Sequence, residues 1–220
     1  MINIAIDGPS GAGKSTLSRC LAKELGYIYV DTGAMYRAIG LYFYRNNIDI
    51  NAVNDYEQVL KNIKIQLAYK DGTQLVYLND EDVSADIRIH IISEFASKVS
   101  AIPCVREFLL QMQRDIAKTN NIVMDGRDIG TVVLPDADIK IFLTASANIR
   151  AKRRYDELIE KGQNVVFEDV LNDVILRDER DTNREIAPLK PAADSVVVDT
   201  SELDFNQSLN KLLQVIKEKI

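Results

Sequence analysis

Histidine is almost missing from this chain of 220 residues: His90 stands alone. One imidazole cannot build a histidine-ligated metal centre, so that chemistry is excluded, and His90 reads as a surface or packing residue. Cysteine is nearly as scarce. Cys20 and Cys104 show no CxxC spacing and read as structural thiols in a reducing compartment. Positive charge is in deficit, with 27 Lys and Arg against 33 Asp and Glu and a net charge of −6. A chain whose main partner is a nucleic acid polymer is usually basic, so no such partner is expected. A small phosphorylated ligand held by a local arginine cluster stays open. No apolar run approaches the ~18 residues of a membrane span, and the start MINIAIDG lacks a signal peptide's charged region and cleavage site. The expectation is a cytoplasmic protein without a membrane partner.

What is present is ordinary globular material, 46% hydrophobic and 27% charged, enough for one substantial core. Five short apolar runs stand out: INIAI (2–6), YIYV (27–30), NIVM (121–124), IKIFL (139–143) and SVVV (195–198). They are β-branched and nearly uninterrupted, as strands buried on both faces of a parallel sheet require. Asp7, Asp31, Asp125, Thr144 and Asp199 follow them. In open α/β sheets ligands gather at the carboxyl ends of strands, so five polar ends point to one crevice.

Helical patterns fill most gaps between the runs. Residues 15–25 form one. FNQSLNKLLQVIKEKI puts Phe205, Leu209, Leu212, Leu213, Ile216 and Ile220 on a single packing face. The gap between the second and third runs is about 90 residues, far more than a crossover needs. Within it, IKIQLAY-KDGT-QLVYL alternates around Asp71-Gly72 as a hairpin does, and EDVSADIR adds a third short strand. The reading is a core of about 1–32 and 101–220 carrying a small mobile subdomain at about 33–100.

GPSGAGKST (8–16) fits G-x-x-x-x-G-K-[ST] between a predicted strand and a predicted helix, the context that makes the motif credible. Gly8, Pro9, Ser10, Gly11, Ala12, Gly13, Lys14, Ser15 and Thr16 are therefore assigned to a nucleotide triphosphate. The backbone N–H groups and the helix N-terminus meet phosphate, Lys14 reaches the β and γ groups, and the Ser15 hydroxyl ligates magnesium. The D-x-x-G and N-K-x-D of GTPases and the L-S-G-G-Q of ABC-type ATPases are missing. A kinase remains, and it needs an acceptor site.

Five stretches compete for it. DTGAMYR (31–37) offers Thr32, Tyr36 and Arg37 to a phosphate; alternatively Thr32 caps a helix and Arg37 is solvated. VREFLLQMQR brings Arg106 and Arg114 after Pro103, and Arg106 alone passes for a surface charge. In FEDVLNDVILRDERDTNR (167–184) Phe167, Val170, Leu171 and Val174 make a stripe. Arg177, Asp181 and Arg184 lie on its edge, as ligands or as a structural ion-pair network. SANIRAKRRYDEL places Arg150, Arg153 and Arg154 on one helix surface, either a solvated face or a lid closing over ATP. Lastly, IVMDGRDIGT (122–131) ends a strand in Asp125, a magnesium-type acid, and follows it with Arg127 and Asp128.

Together these blocks resemble the bacterial cytidylate kinases, nucleoside monophosphate kinases of the P-loop class. The resemblance runs through DGPSGAGKST, YVDTGAMYRA, EDVSADIR, VREFLLQMQR, MDGRDIGTVVLPDA and RDERDTNREIAPLKPAADS, essentially the whole chain. It implies a three-layer α/β sandwich around a five-stranded parallel sheet, an inserted NMP-binding subdomain with a small antiparallel β element, and a short helical lid at about 148–166. It implies transfer from ATP with magnesium to CMP and dCMP, by a monomer. It places the acceptor phosphate on Arg37, Arg127 and Arg184 near Tyr36, the cytosine among Ser97, Arg106 and Asp128, and the sugar by Arg177 and Asp181. Arg150, Arg153 and Arg154 belong to the lid, Arg150 and Arg154 being the expected catalytic pair with Lys14, Arg127 and Arg184. Metal contacts fall to Ser15 and Asp125. Where the family often has Ser, this chain has Thr32, which keeps the hydroxyl.

Overall fold

A computed structural model describes residues 1–52, 55–70 and 73–219. The expected Asp71-Gly72 turn, and Ile220 of the last packing face, lie outside them. The strands are β1 (Asn3–Asp7), β2 (Ile28–Asp31), β3 (Ile65–Lys70), β4 (Thr73–Leu78), β5 (Glu81–Asp82), β6 (Ile122–Gly126), β7 (Ile139–Thr144) and β8 (Val196–Asp199). The helices are α1 (Lys14–Leu25), α2 (Thr32–Arg45), α3 (Tyr56–Leu60), α4 (His90–Val99), α5 (Pro103–Thr119), α6 (Ala147–Glu160), α7 (Phe167–Asn183) and α8 (Phe205–Lys217). Among the described residues the strands make a five-stranded sheet, β2-β6-β1-β7-β8, and a three-stranded one, β3-β4-β5. The five apolar runs are the five parallel strands, and the inserted β element is antiparallel, as expected. Among the described residues no helix is long and apolar enough to cross a membrane.

The chain divides into two compact units, Ile28–Asn121 with Met1, and Ile2–Tyr27 with Ile122–Ile220. In the second unit β1 pairs in parallel with β6 and β7, and β7 with β8. All five residues of β6 are buried, and so are Ile4 and Ile6 of β1. Burying an isoleucine side chain contributes ~1.5–3 kcal/mol, so uninterrupted apolar runs settle into the middle of the sheet. α8 starts with a reciprocal capping box between Asp204 and Gln207. Its buried face is Ser208, Leu212, Val215 and Ile216, while Phe205 is 45% exposed. Phe205 is the first helical residue and falls outside the covered stripe.

In the first unit, Met35, Ala38, Ile39 and Phe43 of α2 pack with Ile65, Val76 and Leu78 of the hairpin, Ile92 and Val99 of α4, and Val105 and Leu109 of α5. Pro103 opens α5, where its missing N–H costs nothing. α2 is capped by Asp31, whose carboxylate accepts from the Ala34 N–H at 2.9 Å, so Thr32 is the first helical residue and not the cap.

Candidate active site

The loop after β1 is shaped by the absence of side chains. Gly8 has φ 149°, and a Cβ there would lie 1.9 Å from the Leu143 carbonyl oxygen. Gly13 sits before α1 with φ 88° and leaves the helix without a side-chain cap. The first amides of a twelve-residue helix thus belong to the loop, where they and the helix dipole favour an anion.

Lys14 opens that helix, is 6% exposed, and donates from Nζ to the Pro9 carbonyl at 2.7 Å. Burial first, and then the charges of Arg127 and Arg177, push the Lys14 ammonium well below its usual range, against the pull of Asp125 and Asp7. Beside it the Ser15 hydroxyl donates to Asp125 Oδ2 at 2.9 Å. This pair joins the helix start to the end of β6. A hydroxyl and a carboxylate are hard oxygen donors, and they fit a magnesium ion that keeps waters and phosphate oxygens for its other positions. Among the described residues no cluster of three or more His, Cys, Asp or Glu side chains forms a closed metal cage.

Asp7 ends β1 and turns away from such chemistry. Its two oxygens accept the N–H groups of Ile129 and Gly130 at 2.8 and 2.7 Å. Burial raises its carboxyl to about 6 in spite of those two bonds. The bonds pin a single π-type turn, Ile129–Val133, directly after Arg127 and Asp128. Turns of this kind recur at functional sites because they re-aim the residues beside them.

The charges of α7 meet those of β6. Arg127 donates from Nε to Asp181 Oδ2 at 3.0 Å and from Nη1 to the Gly126 carbonyl at 3.1 Å. Burial would raise the Asp181 carboxyl, but Arg127, Arg177 and Arg184 together bring it below its ordinary value. Arg184 Nη2 lies 3.5 Å from Asp128 Oδ1, and both side chains are buried. Its Nε donates to the Ala187 carbonyl at 2.6 Å, and the Leu189 N–H returns to the Asp181 carbonyl at 2.8 Å. The segment after α7 thereby folds back and fixes the last guanidinium. Arg127, Asp128, Arg177, Asp181 and Arg184 thus form one mutually charged group in which the two carboxylates are buried, and Arg127 and Arg177 also act on Lys14. Those on α7 do sit at the edge of a stripe, since Val170 and Val174 are buried and Ile175 and Leu176 are exposed.

The arginines of α6 separate. Arg150 is 5% exposed and lies off any solvated face. It donates from Nε to the Ala145 carbonyl at 2.7 Å, from Nη1 to the Ser10 carbonyl at 3.0 Å, and forks onto Asp178 at 3.0 and 2.6 Å. Arg153 Nη2 donates to the Thr200 carbonyl at 2.9 Å. Arg154 pairs with Glu157 at 2.8 Å near the surface. Adjacency in sequence therefore hides three different situations.

In the first unit Thr32 is 3% exposed at the start of α2, and Arg37 is partly exposed one turn on. The Arg106 guanidinium lies 5.9 Å from the Tyr36 ring centroid, within cation–π range, and its Nη1 donates to the Ser100 carbonyl. Ser97 is half-buried on α4.

A family profile described as cytidylate kinase matches residues 4–218. A cytidylate kinase from Caldicellulosiruptor saccharolyticus is 52% identical, over 100% of this chain and 97% of that protein. The chain belongs to the cytidylate kinase family. A second cytidylate kinase, from Carboxydothermus hydrogenoformans, is 49% identical over 99% and 98% of the two chains. A shikimate kinase from Bacteroides thetaiotaomicron shares the fold at TM-score 0.50 and 14% identity, over 98% of each chain. Two polar residues to which the sequence reading gives no role hold residues of these motifs. Asp178 receives Arg150, and Gln74 grips Asp31. Each pair bridges a long stretch of chain, and no spacing rule links such partners.

Proposed function

We propose that the protein transfers the γ-phosphoryl group of ATP to CMP and dCMP, giving ADP with CDP or dCDP. The observation that carries the reading is Lys14. A desolvated ammonium with Arg127 and Arg177 acting against it gains most from a polyanion. Two phosphate groups arriving together supply one, and the site then neutralises the charge that otherwise keeps donor and acceptor apart.

On this reading residues 8–16 hold the ATP phosphates. Thr32, Tyr36, Arg37, Arg127 and Arg184 receive the acceptor phosphate, Ser97, Arg106 and Asp128 the cytosine, and Arg177 and Asp181 the sugar. Ser15 and Asp125 would hold the magnesium. When bound, it would draw negative charge from the phosphate oxygens. Lys14, Arg127 and Arg184 take up the rest of the charge as an acceptor oxygen meets the γ-phosphorus in line with the departing ADP oxygen. Arg154, tied only at the surface, is the arginine of α6 suited to reach the transferring group, whereas Arg150 holds the loop. The protein works as a cytoplasmic monomer.

Asp128 supplies the specificity. Cytosine presents an amine donor where uracil presents a carbonyl acceptor, and a carboxylate accepts from the first and repels the second. A site that hydrogen-bonds a polar group rejects the wrong partner far more strongly than an apolar pocket does. Asp128→Asn is expected to bring kcat/KM for CMP and UMP together. Discrimination preserved in a folded variant would remove Asp128 from this role.

A further inference from the structure

We propose that Gln74 is a positioning residue for the acceptor, holding the start of α2 in register from the hairpin. Gln74 is the second residue of β4 and is 8% exposed. Its Oε1 accepts the Asp31 N–H at 2.9 Å and its Nε2 donates to the Asp31 carbonyl at 3.2 Å. One side-chain amide thus takes both main-chain groups of a single residue, as a neighbouring strand takes them in a ladder.

Asp31 is fixed on every side by this. Oδ1 accepts from the Ala34 N–H at 2.9 Å, and Oδ2 lies 3.3 Å from Arg88 Nη1. Thr32 is the next residue, and Tyr36 and Arg37 follow one turn later on the same rigid helix. A shift of Asp31 is therefore carried to all three. Displacements of about 1 Å in a positioning group cost large factors in turnover. The hairpin has its own anchorage through Ile65, Val76 and Leu78 in the apolar core. Removing the Gln74 amide thus removes register and leaves the packing.

The proposal rests on the assignment of Thr32, Tyr36 and Arg37 to the acceptor. The test compares wild type, Gln74→Met and Gln74→Glu by steady-state kinetics and thermal unfolding. In Gln74→Met the KM for CMP is expected to rise about ten-fold, the scale of removing a buried hydrogen-bond pair, with the KM for ATP and the ATP hydrolysis measured without acceptor unchanged. An unchanged KM for CMP in the folded variant, or equal losses for both substrates, overturns it. If Gln74→Met does not fold, Gln74→Glu decides. It keeps the oxygen facing the Asp31 N–H but sets a carboxylate oxygen against the Asp31 carbonyl, and a rise in the KM for CMP at least as large is expected; no such change overturns the proposal. Wild type that ignores CMP sinks the acceptor reading itself, which the first arm of the experiment detects separately.

Discussion

Asp7, Asp31, Asp125 and Asp199 each close a parallel strand, and each carboxylate is used differently. Asp7 holds a turn, Asp31 caps α2, Asp125 meets Ser15, and Asp199 accepts from the Ser201 N–H. Asp7 has a measurable consequence. Its carboxyl is raised from 3.8 to about 6 by burial, so between those values the folded protein binds more protons there than the unfolded chain. The stability this group contributes is then full below about pH 4 and is lost as pH rises through about 6, by roughly 3 kcal/mol for such a shift. Urea unfolding of wild type and Asp7→Asn at pH 4, 5, 6 and 7 should show that extra decline in wild type alone; parallel curves contradict it. Arg184→Ala should lower kcat/KM for CMP by at least ~10²-fold, the scale of removing a charge-assisted hydrogen bond from a transition state. An unchanged value makes Arg184 a structural partner of Asp128. At this scale residue types are legible in the sequence and their use is not. A strand-end acid looks the same whether it binds a ligand or a backbone amide, because the partner amides of Asp7 lie more than a hundred residues away.

At the scale of elements, the clasp between α6 and α7 supports the phosphate loop. Arg150 forks onto Asp178 and reaches the Ser10 carbonyl. Asp178→Ala leaves the buried guanidinium without its anion. A fully buried pair broken this way costs about 3–5 kcal/mol, and with Asp178 25% exposed a loss of roughly 2–3 kcal/mol is expected. The KM for ATP should rise with it. Stability and KM both within error of wild type would show that the fork is idle. The strands are legible because a buried parallel strand needs a continuous apolar run, and 2–6, 121–124 and 139–143 are such runs. The face of α8 is less so. Phe205 stands beside the capping box at the helix start and stays exposed, while the covered face begins at Ser208. The cap of α2 falls one residue earlier than the pattern suggests, since Asp31 both ends a strand and begins a helix.

For the whole molecule, the family is legible because six motif blocks recur in order along the chain, and the match over residues 4–218 agrees. The separate antiparallel β element is legible from the long gap between the second and third runs and from the alternation within it. The polar bonds that tune it, from Gln74 and Arg88 to Asp31, are not, because a single sequence does not reveal which distant polar residues meet. Lys14→Ala should abolish transfer while leaving the unfolding transition of a folded protein; near-normal turnover would dissociate the phosphate loop from the chemistry. The central claim is tested most directly by coupled ADP release with ATP and magnesium, alone and then with CMP, dCMP, UMP and non-nucleotide acceptors. Fast release only with CMP and dCMP is the predicted result. Slow release indifferent to every monophosphate, or fast release with another acceptor instead, contradicts it.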